Sequence, residues 1–234
     1  MNENRRKVTI VLGAKGGIGS ACLGVISDGI VVGLDLPEFD ITKQGIAADI
    51  VARVYEEHGA LTGVVHAVGM SGRRLGDGAV DTCTDEAWEE VLQVNLTSVF
   101  WLMRASLPAI ARSGGGSFVS IGSVLASSQH PDFLTTAYAT AKSGLIGLTR
   151  AAALAIADRD VRVNLVSPSL VDTPMAQRAL STPSITSQFA ELLPLGQTPL
   201  APRDVADAVR WLLSDGSRRV TGTEITVDGG WSLR

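Results

Sequence analysis

A chain of 234 residues, 45% hydrophobic and 19% charged, has the balance of a globular protein with a substantial core, and its length (1–234) suits a single α/β domain. Its net charge of −4 gives no reason to expect nucleic acid or an anionic membrane as a partner. Cys22 and Cys83 lie far apart, match no metal-ligand or redox spacing, and read as reduced thiols.

The N-terminus is polar through Lys7, and only Val8–Leu12 is apolar before glycines begin, too short a run for a signal-peptide core. No apolar run approaches the roughly 18 residues of a membrane span, so a cytoplasmic location is expected. Val8–Leu12 itself reads as a buried strand, and Gly17–Ser27 as the helix after it. Then come strand Ile30–Asp35, helix Thr42–His58, strand Thr62–His66 and helix Thr84–Ser113. Thr84 caps that last helix, Asp85 and Glu86 favour its first turn, and Gly114-Gly115-Gly116 stops it. Strand Ser117–Gly122, helix Thr135–Arg159 and strand Val161–Val166 follow. The segment 170–202, with Pro174, Pro183, Pro194 and Pro199, reads as a long functional excursion, a substrate lid. Helix Arg203–Ser214 and strand Glu224–Val227 complete the chain. The alternation predicts an α/β doubly wound parallel sheet with helices on both faces.

Directly after the first strand stands Gly13-Ala14-Lys15-Gly16-Gly17-Ile18-Gly19. Glycines let the backbone turn sharply and approach a pyrophosphate, which rests on the free N–H groups of the next helix. No Gly-Lys-Ser/Thr follows, so this is not a Walker loop. Asp35 ends the second strand, where a carboxylate accepts hydrogen bonds from ribose hydroxyls and repels a 2′-phosphate. Lys15 pulls the other way if it reaches such a phosphate, or is a solvated loop charge. With Asp35 opposing, NAD is expected over NADP.

Tyr138-Ala139-Thr140-Ala141-Lys142 puts a phenol and an ammonium on one helix face. Tyrosine titrates near 10, and a neighbouring cation lowers that value toward a usable acid/base. With two tyrosines and four lysines in the chain, chance yields such a pair roughly 0.03 times.

With these motifs in order, the chain resembles the short-chain dehydrogenase/reductase family nearly end to end. Gly13, Gly17 and Gly19 fall on its glycine motif, and Tyr138 and Lys142 on its Tyr-x3-Lys. Asn95 matches its helix asparagine and Ser123 its catalytic serine. Asn164-Leu165-Val166-Ser167-Pro168, then Thr173-Pro174-Met175, resembles the segment closing on the nicotinamide, and Val220-Thr221-Gly222 with Val227-Asp228-Gly229-Gly230 the C-terminal strand signature. The resemblance implies a Rossmann-like sheet of about seven strands, with one trimmed because the chain is short between Asp35 and Asp40. Bacterial hydroxysteroid dehydrogenases of the family show a similar trimming. It implies hydride transfer between a small secondary alcohol or ketone and the cofactor, without metal. Tyr138 is the implied general acid/base, Lys142 lowers its pKa and holds the ribose, Ser123 binds the substrate oxygen, and Asn95 holds a relay water. Cofactor contacts are implied at Gly13, Lys15, Gly17, Ile18, Gly19, Asp35, Asp40, Ile41, Ala67, Val68, Gly69, Pro168, Val171 and Thr173, besides Tyr138 and Lys142. A homodimer or homotetramer is implied too.

The chain departs from the family in places. Leu12 stands where threonine is usual, and His66-Ala67-Val68-Gly69 replaces Asn-Asn-Ala-Gly. Ser123 lies 15 residues before Tyr138, about two more than usual, so the loop between must bulge; Ser127 and Ser128 are rivals to it. His66 reads as a packed or cofactor-adjacent histidine, and Arg73 and Arg74 as a solvated pair or a contact for an acidic substrate. Val171, Met175, Leu180, Ile185, Phe189 and Leu192 suggest either an apolar substrate body or a lid packed down on its own side chains. Alternatives to an alcohol dehydrogenase are a ketoreductase of a carrier-bound acyl chain and a nicotinamide-binding regulator without turnover. The intact set Asn95, Ser123, Tyr138 and Lys142 argues against the regulator.

Overall fold

Val8–Leu12 (β1) is buried at all five positions, as a strand covered on both faces must be. The computed structural model, which describes residues 6–233, sets five more strands around it: Ile30–Leu34 (β2), Gly63–His66 (β3), Gly116–Ile121 (β4), Val161–Pro168 (β5) and Glu224–Val227 (β6). Residues 1–5 of the polar N-terminal stretch lie outside the described residues. All pairings are parallel, in the order β2-β1-β3-β4-β5-β6.

The sheet has six strands rather than the seven of the family expectation. After β2 the chain turns through residues 35–45 and enters Ile46–His58 (α2), which leads straight to β3 beside β1, so β2 is the sheet's edge. Among the described residues there is one strand fewer than the family expectation, yet a full crossover helix of 13 residues remains. That helix starts four residues later than the hydrophobic pattern suggests, because Asp40 and Thr42 bond each other in a local turn.

The pleat divides the core in two. Ile10, Val64, Phe118 and Leu165 point to one face, where α2, Ser98–Arg112 (α4) and Thr136–Ile156 (α5) cover them. Val11, Val65, Val119 and Val166 point to the other, under Gly17–Val25 (α1) and Pro202–Leu213 (α9). The helix expected over Thr84–Ser113 is one continuous rod with an internal defect. Thr84 caps its start by accepting the Ala87 amide at 3.1 Å, Asp85–Leu92 (α3) is regular, and Gln93–Thr97 widens into a π-turn before α4. Such bulges gather at functional sites, and this one carries Asn95. The rod Asp85–Arg112 is long and apolar enough to cross a bilayer by length and composition, but half of its most apolar window is buried, as in a core helix.

Segment 170–202 is folded onto the protein. Three short helices, Gln177–Leu180 (α6), Pro183–Thr186 (α7) and Phe189–Leu192 (α8), pack Ile185, Leu192 and Leu193 against Phe133 and Trp231. Of the apolar residues weighed as a substrate lining or lid packing, Ile185 and Leu192 are buried in this packing and Val171 in the core beside α9, whereas Met175 is half exposed.

His66, at the end of β3, is buried. The Ser98 hydroxyl donates to Val94 O at 2.7 Å, so its one proton is used and the His66 Nε2–H donates to it at 3.1 Å. Burial first, then the Lys142 charge, pushes the imidazole down to about 3. The folded state therefore refuses a proton that the unfolded chain accepts near 6.5, and the resulting stability, full above that pH, is lost as pH falls toward about 3. His66→Gln, which keeps an amide donor for Ser98 but cannot titrate, is expected to lose less stability than wild type across that window in pH-dependent denaturant unfolding. Parallel pH profiles for the two proteins would show that His66 does not set the acid limb.

Candidate active site

The carboxyl ends of β1, β3 and β4 open onto one crevice, floored by the glycine turn. Gly13 has φ +80°, and a Cβ there would meet the Ala67 carbonyl at 2.8 Å and Val68 N at 3.0 Å. A Cβ on Gly19 would lie 2.0 Å from Gly13 O. Gly17 opens α1 beneath Thr173, whose Cγ2 is 2.5 Å from where a Cβ would stand. No side chain caps α1, so its N–H groups face the crevice with the glycine cradle before them. These are the features a dinucleotide pyrophosphate requires, and the residues fit that group. Ile18 packs into the core below. Pro168 ends β5, and Val171 bridges to Leu200, which holds Thr173 over the turn.

Asp35 is tied to the glycine turn directly. Its carboxylate accepts the Lys15 amide at 2.6 Å and the Leu36 amide at 2.7 Å, while the Lys15 ammonium donates to Leu36 O at 2.8 Å. Lys15 is thus folded back beside Asp35 rather than loose in solvent. Asp40 is engaged locally: the Thr42 hydroxyl holds its carboxyl below the usual range, helped by Lys43 at 3.6 Å. Ile41 is buried in the core.

Four further side chains converge at the other end of the crevice. Lys142, 3% exposed, donates from Nζ to Ile121 O at 2.8 Å and lies 5.5 Å from the centre of the Tyr138 ring. Burial lowers its ammonium to about 8, so it stays mostly charged at neutral pH. The Tyr138 phenol, partly buried, is hydrogen-bonded by Ser123. Burial raises its pKa, and the Ser123 bond only partly offsets this. Spacing alone suggests a phenol lowered by Lys142; burial instead holds it raised, with the Lys142 ammonium lying over the ring at 5.5 Å. Asn95 is fully buried, with its amide donating to Met70 O and Val91 O at 3.0 Å each and its Oδ1 accepting the Met70 amide at 3.2 Å. Both amide protons are used inside the protein, so Asn95 can only accept from a water.

The long interval from Ser123 to Tyr138 is absorbed by two 3-10 turns, Val124–Ala126 and Pro131–Phe133, and Ser123 itself caps the first, accepting the Leu125 amide at 3.2 Å. Gly69 comes up between the two groups; a Cβ there would sit 3.0 Å from Asn95 Oδ1 and 3.6 Å from Lys142 Nζ. Composition and spacing give no sign of one residue that the structure brings in. Asp77, in a Gly-Asp-Gly stretch that reads only as a turn, is 4% exposed and accepts the backbone amides of Ala137 and Tyr138.

The model of the family described as enoyl-(acyl carrier protein) reductase matches residues 31–232. The chain is 31% identical to a cyclohexanol dehydrogenase of Acinetobacter sp. strain SE19, over all of this chain and 98% of that one. It is 29% identical to a 3-oxoacyl-(acyl-carrier-protein) reductase of Thermotoga maritima, over 96% and 97%. Among solved structures, the ligand-free aldohexose dehydrogenase of Thermoplasma acidophilum superposes with a TM-score of 0.87 at 30% identity, over 98% of this chain and 95% of that one. With the six-stranded parallel sheet, the glycine cradle and the Tyr138–Lys142 helix in place, these matches show that the chain belongs to the short-chain dehydrogenase/reductase family of nicotinamide-dependent oxidoreductases.

Proposed function

We propose that this protein interconverts a secondary alcohol and its ketone with NAD as the preferred cofactor, Tyr138 serving as general acid/base. The observation that carries the reading is the convergence of the Ser123-bonded Tyr138 phenol and the buried, largely charged Lys142 at the end of a crevice with a glycine cradle. When bound, the nicotinamide supplies or accepts the hydride. Gly13, Gly17, Ile18 and Gly19 would hold the pyrophosphate, Asp35 the adenosine ribose, Asp40 and Ile41 the adenine, and Ala67–Gly69, Pro168, Val171 and Thr173 the remaining length. During oxidation Ser123 Oγ orients the alcohol oxygen and Tyr138 Oη removes its proton; in reduction Tyr138 returns it. Lys142 stabilises the phenolate in the closed, dry site, and Asn95 accepts from a water beyond it.

The printed names of the relatives, a cyclohexanol dehydrogenase and a 3-oxoacyl reductase, support the alcohol/ketone chemistry. The second leaves reduction of a carrier-bound acyl chain as the alternative. Asp35, beside the glycine turn, supports NAD against NADP. Half-exposed Met175 supports an apolar substrate, and the exposed Phe100 on α4 and Leu154 on α5 support a homodimer or homotetramer.

Tyr138→Phe removes the transferable proton and is expected to lower kcat by about 10²–10⁴-fold while NADH affinity, read by fluorescence titration, stays nearly unchanged. Unchanged turnover on a panel of secondary alcohols and ketones would sink the mechanism. Asp35→Ala is expected to raise kcat/KM for NADP relative to NAD; a wild type that already prefers NADPH would overturn the cofactor reading.

A further inference from the structure

We infer that Asp77 is a positioning residue for Tyr138, pinning the first turn of α5 to the loop that runs from the cofactor crevice, an inference that rests on the role given to Tyr138 above. A helix leaves its first N–H groups without partners, and a local side chain usually receives them. Thr135 occupies that place on α5 and is the right residue type, yet it caps nothing: its hydroxyl donates to Phe133 O at 3.2 Å. The partners come instead from far upstream. Gly78 O accepts the Thr136 amide at 2.9 Å and the Thr136 hydroxyl at 2.8 Å. Asp77 Oδ1 accepts the Ala137 amide at 2.9 Å, and Oδ2 accepts the amide of Tyr138 itself at 3.0 Å.

Three consecutive amides of the helix are thus received by two consecutive loop residues about 60 positions earlier in the chain. The carboxylate is buried and has no ion pair within 4.0 Å among the described residues; the helix N-terminus, the Cys83 thiol 3.7 Å from Oδ1 and, farther off, the Arg73 guanidinium face it. It has little freedom to move, because Gly72, at φ +68°, packs so closely that a Cβ there would lie 3.0 Å from Asp77 Cβ. The same loop is fastened at its other end, where Met70 bonds Asn95 through both its N–H and its C=O. Immediately before Met70 lies Gly69, against Asn95 and Lys142. A generic helix cap needs none of this reach. The arrangement makes the crevice-lining loop and the Tyr138 helix one body, so the phenol holds its position over the substrate oxygen.

The test compares Asp77→Ala, which loses both acceptors, with Asp77→Asn, which keeps one, using a secondary alcohol that the wild type turns over. NADH-binding sites are counted by fluorescence titration, so that kcat is expressed per competent site. Asp77→Ala is expected to lower kcat per site on the order of 10–100-fold, the scale set by a displacement of about 1 Å at a reacting group. KM and NADH affinity are expected to stay within about twofold, with Asp77→Asn falling between wild type and Asp77→Ala. The solvent deuterium isotope effect on kcat is expected to rise as proton transfer becomes limiting. If Asp77→Ala does not fold, Asp77→Asn decides alone. Activity that falls only in step with the number of NADH-binding sites, or a loss confined to KM, overturns the role and leaves Asp77 a plain fold support. A wild type inactive on every alcohol, or an active Tyr138→Phe, refutes the reaction reading instead, whereas an active wild type with indifferent Asp77 variants refutes the positioning role alone.

Discussion

The crevice exists because backbone approaches backbone more closely than any side chain permits. At the ends of β1 and β3, Gly13 lies under the Ala67–Val68 peptide, and Gly19 lies under Gly13, with 2.0 Å between a hypothetical Cβ at position 19 and Gly13 O. A Cβ at either position would push the turn away from the sheet, and α1 would no longer direct its uncapped N-terminus into the groove. Asp35 reinforces this contact by accepting the Lys15 amide, so the residue proposed to bind the ribose also braces the turn. Gly69 repeats the logic beside Asn95 and Lys142.

Burial governs the electrostatics at the other end. It lowers Lys142 to about 8 and His66 to about 3, and raises Tyr138. All three shifts disfavour charge, which is what removing groups from water does. The one compensating contact on the phenol is Ser123, a hydrogen bond that costs no second buried charge.

Much of this was legible in residue order. Six strand segments, the capped start at Thr84 and the Tyr138–Lys142 helix face follow from periodicity and local chemistry, which act over a few residues. What was not legible is set by partners distant in sequence. The π-turn at Gln93–Thr97 leaves no pattern, because an extra residue in one helical turn changes neither composition nor hydrophobic face. The absent strand can be inferred only as a shortening near Asp40. Of the lid's apolar residues, Ile185, Phe189 and Leu192 pack with Phe133 and Trp231, a choice between substrate and lid packing that sequence leaves open because an apolar side chain carries no label for what it packs against. Asp77, between two glycines, is illegible for the same reason: its partners are amides some 60 residues away.

The longer interval between Ser123 and Tyr138 then gains a physical sense. Its second turn carries Asp132 and Phe133, and these anchor segment 170–202: Arg178 donates to Asp132 O at 3.0 Å, Gln188 Nε2 donates to Asp132 Oδ2 at 3.0 Å, and Phe133 meets the Trp231 ring edge-on at 5.1 Å. The loop joining Ser123 and Tyr138 is therefore also the floor on which the three short helices rest. The tie from Ser143 Oγ to Ala126 O fastens that loop to α5 as well. Asp77 fixes α5 from one side and the Ser123 loop braces it from the other, so the position of Tyr138 is set by two long-range contacts rather than by its helix alone.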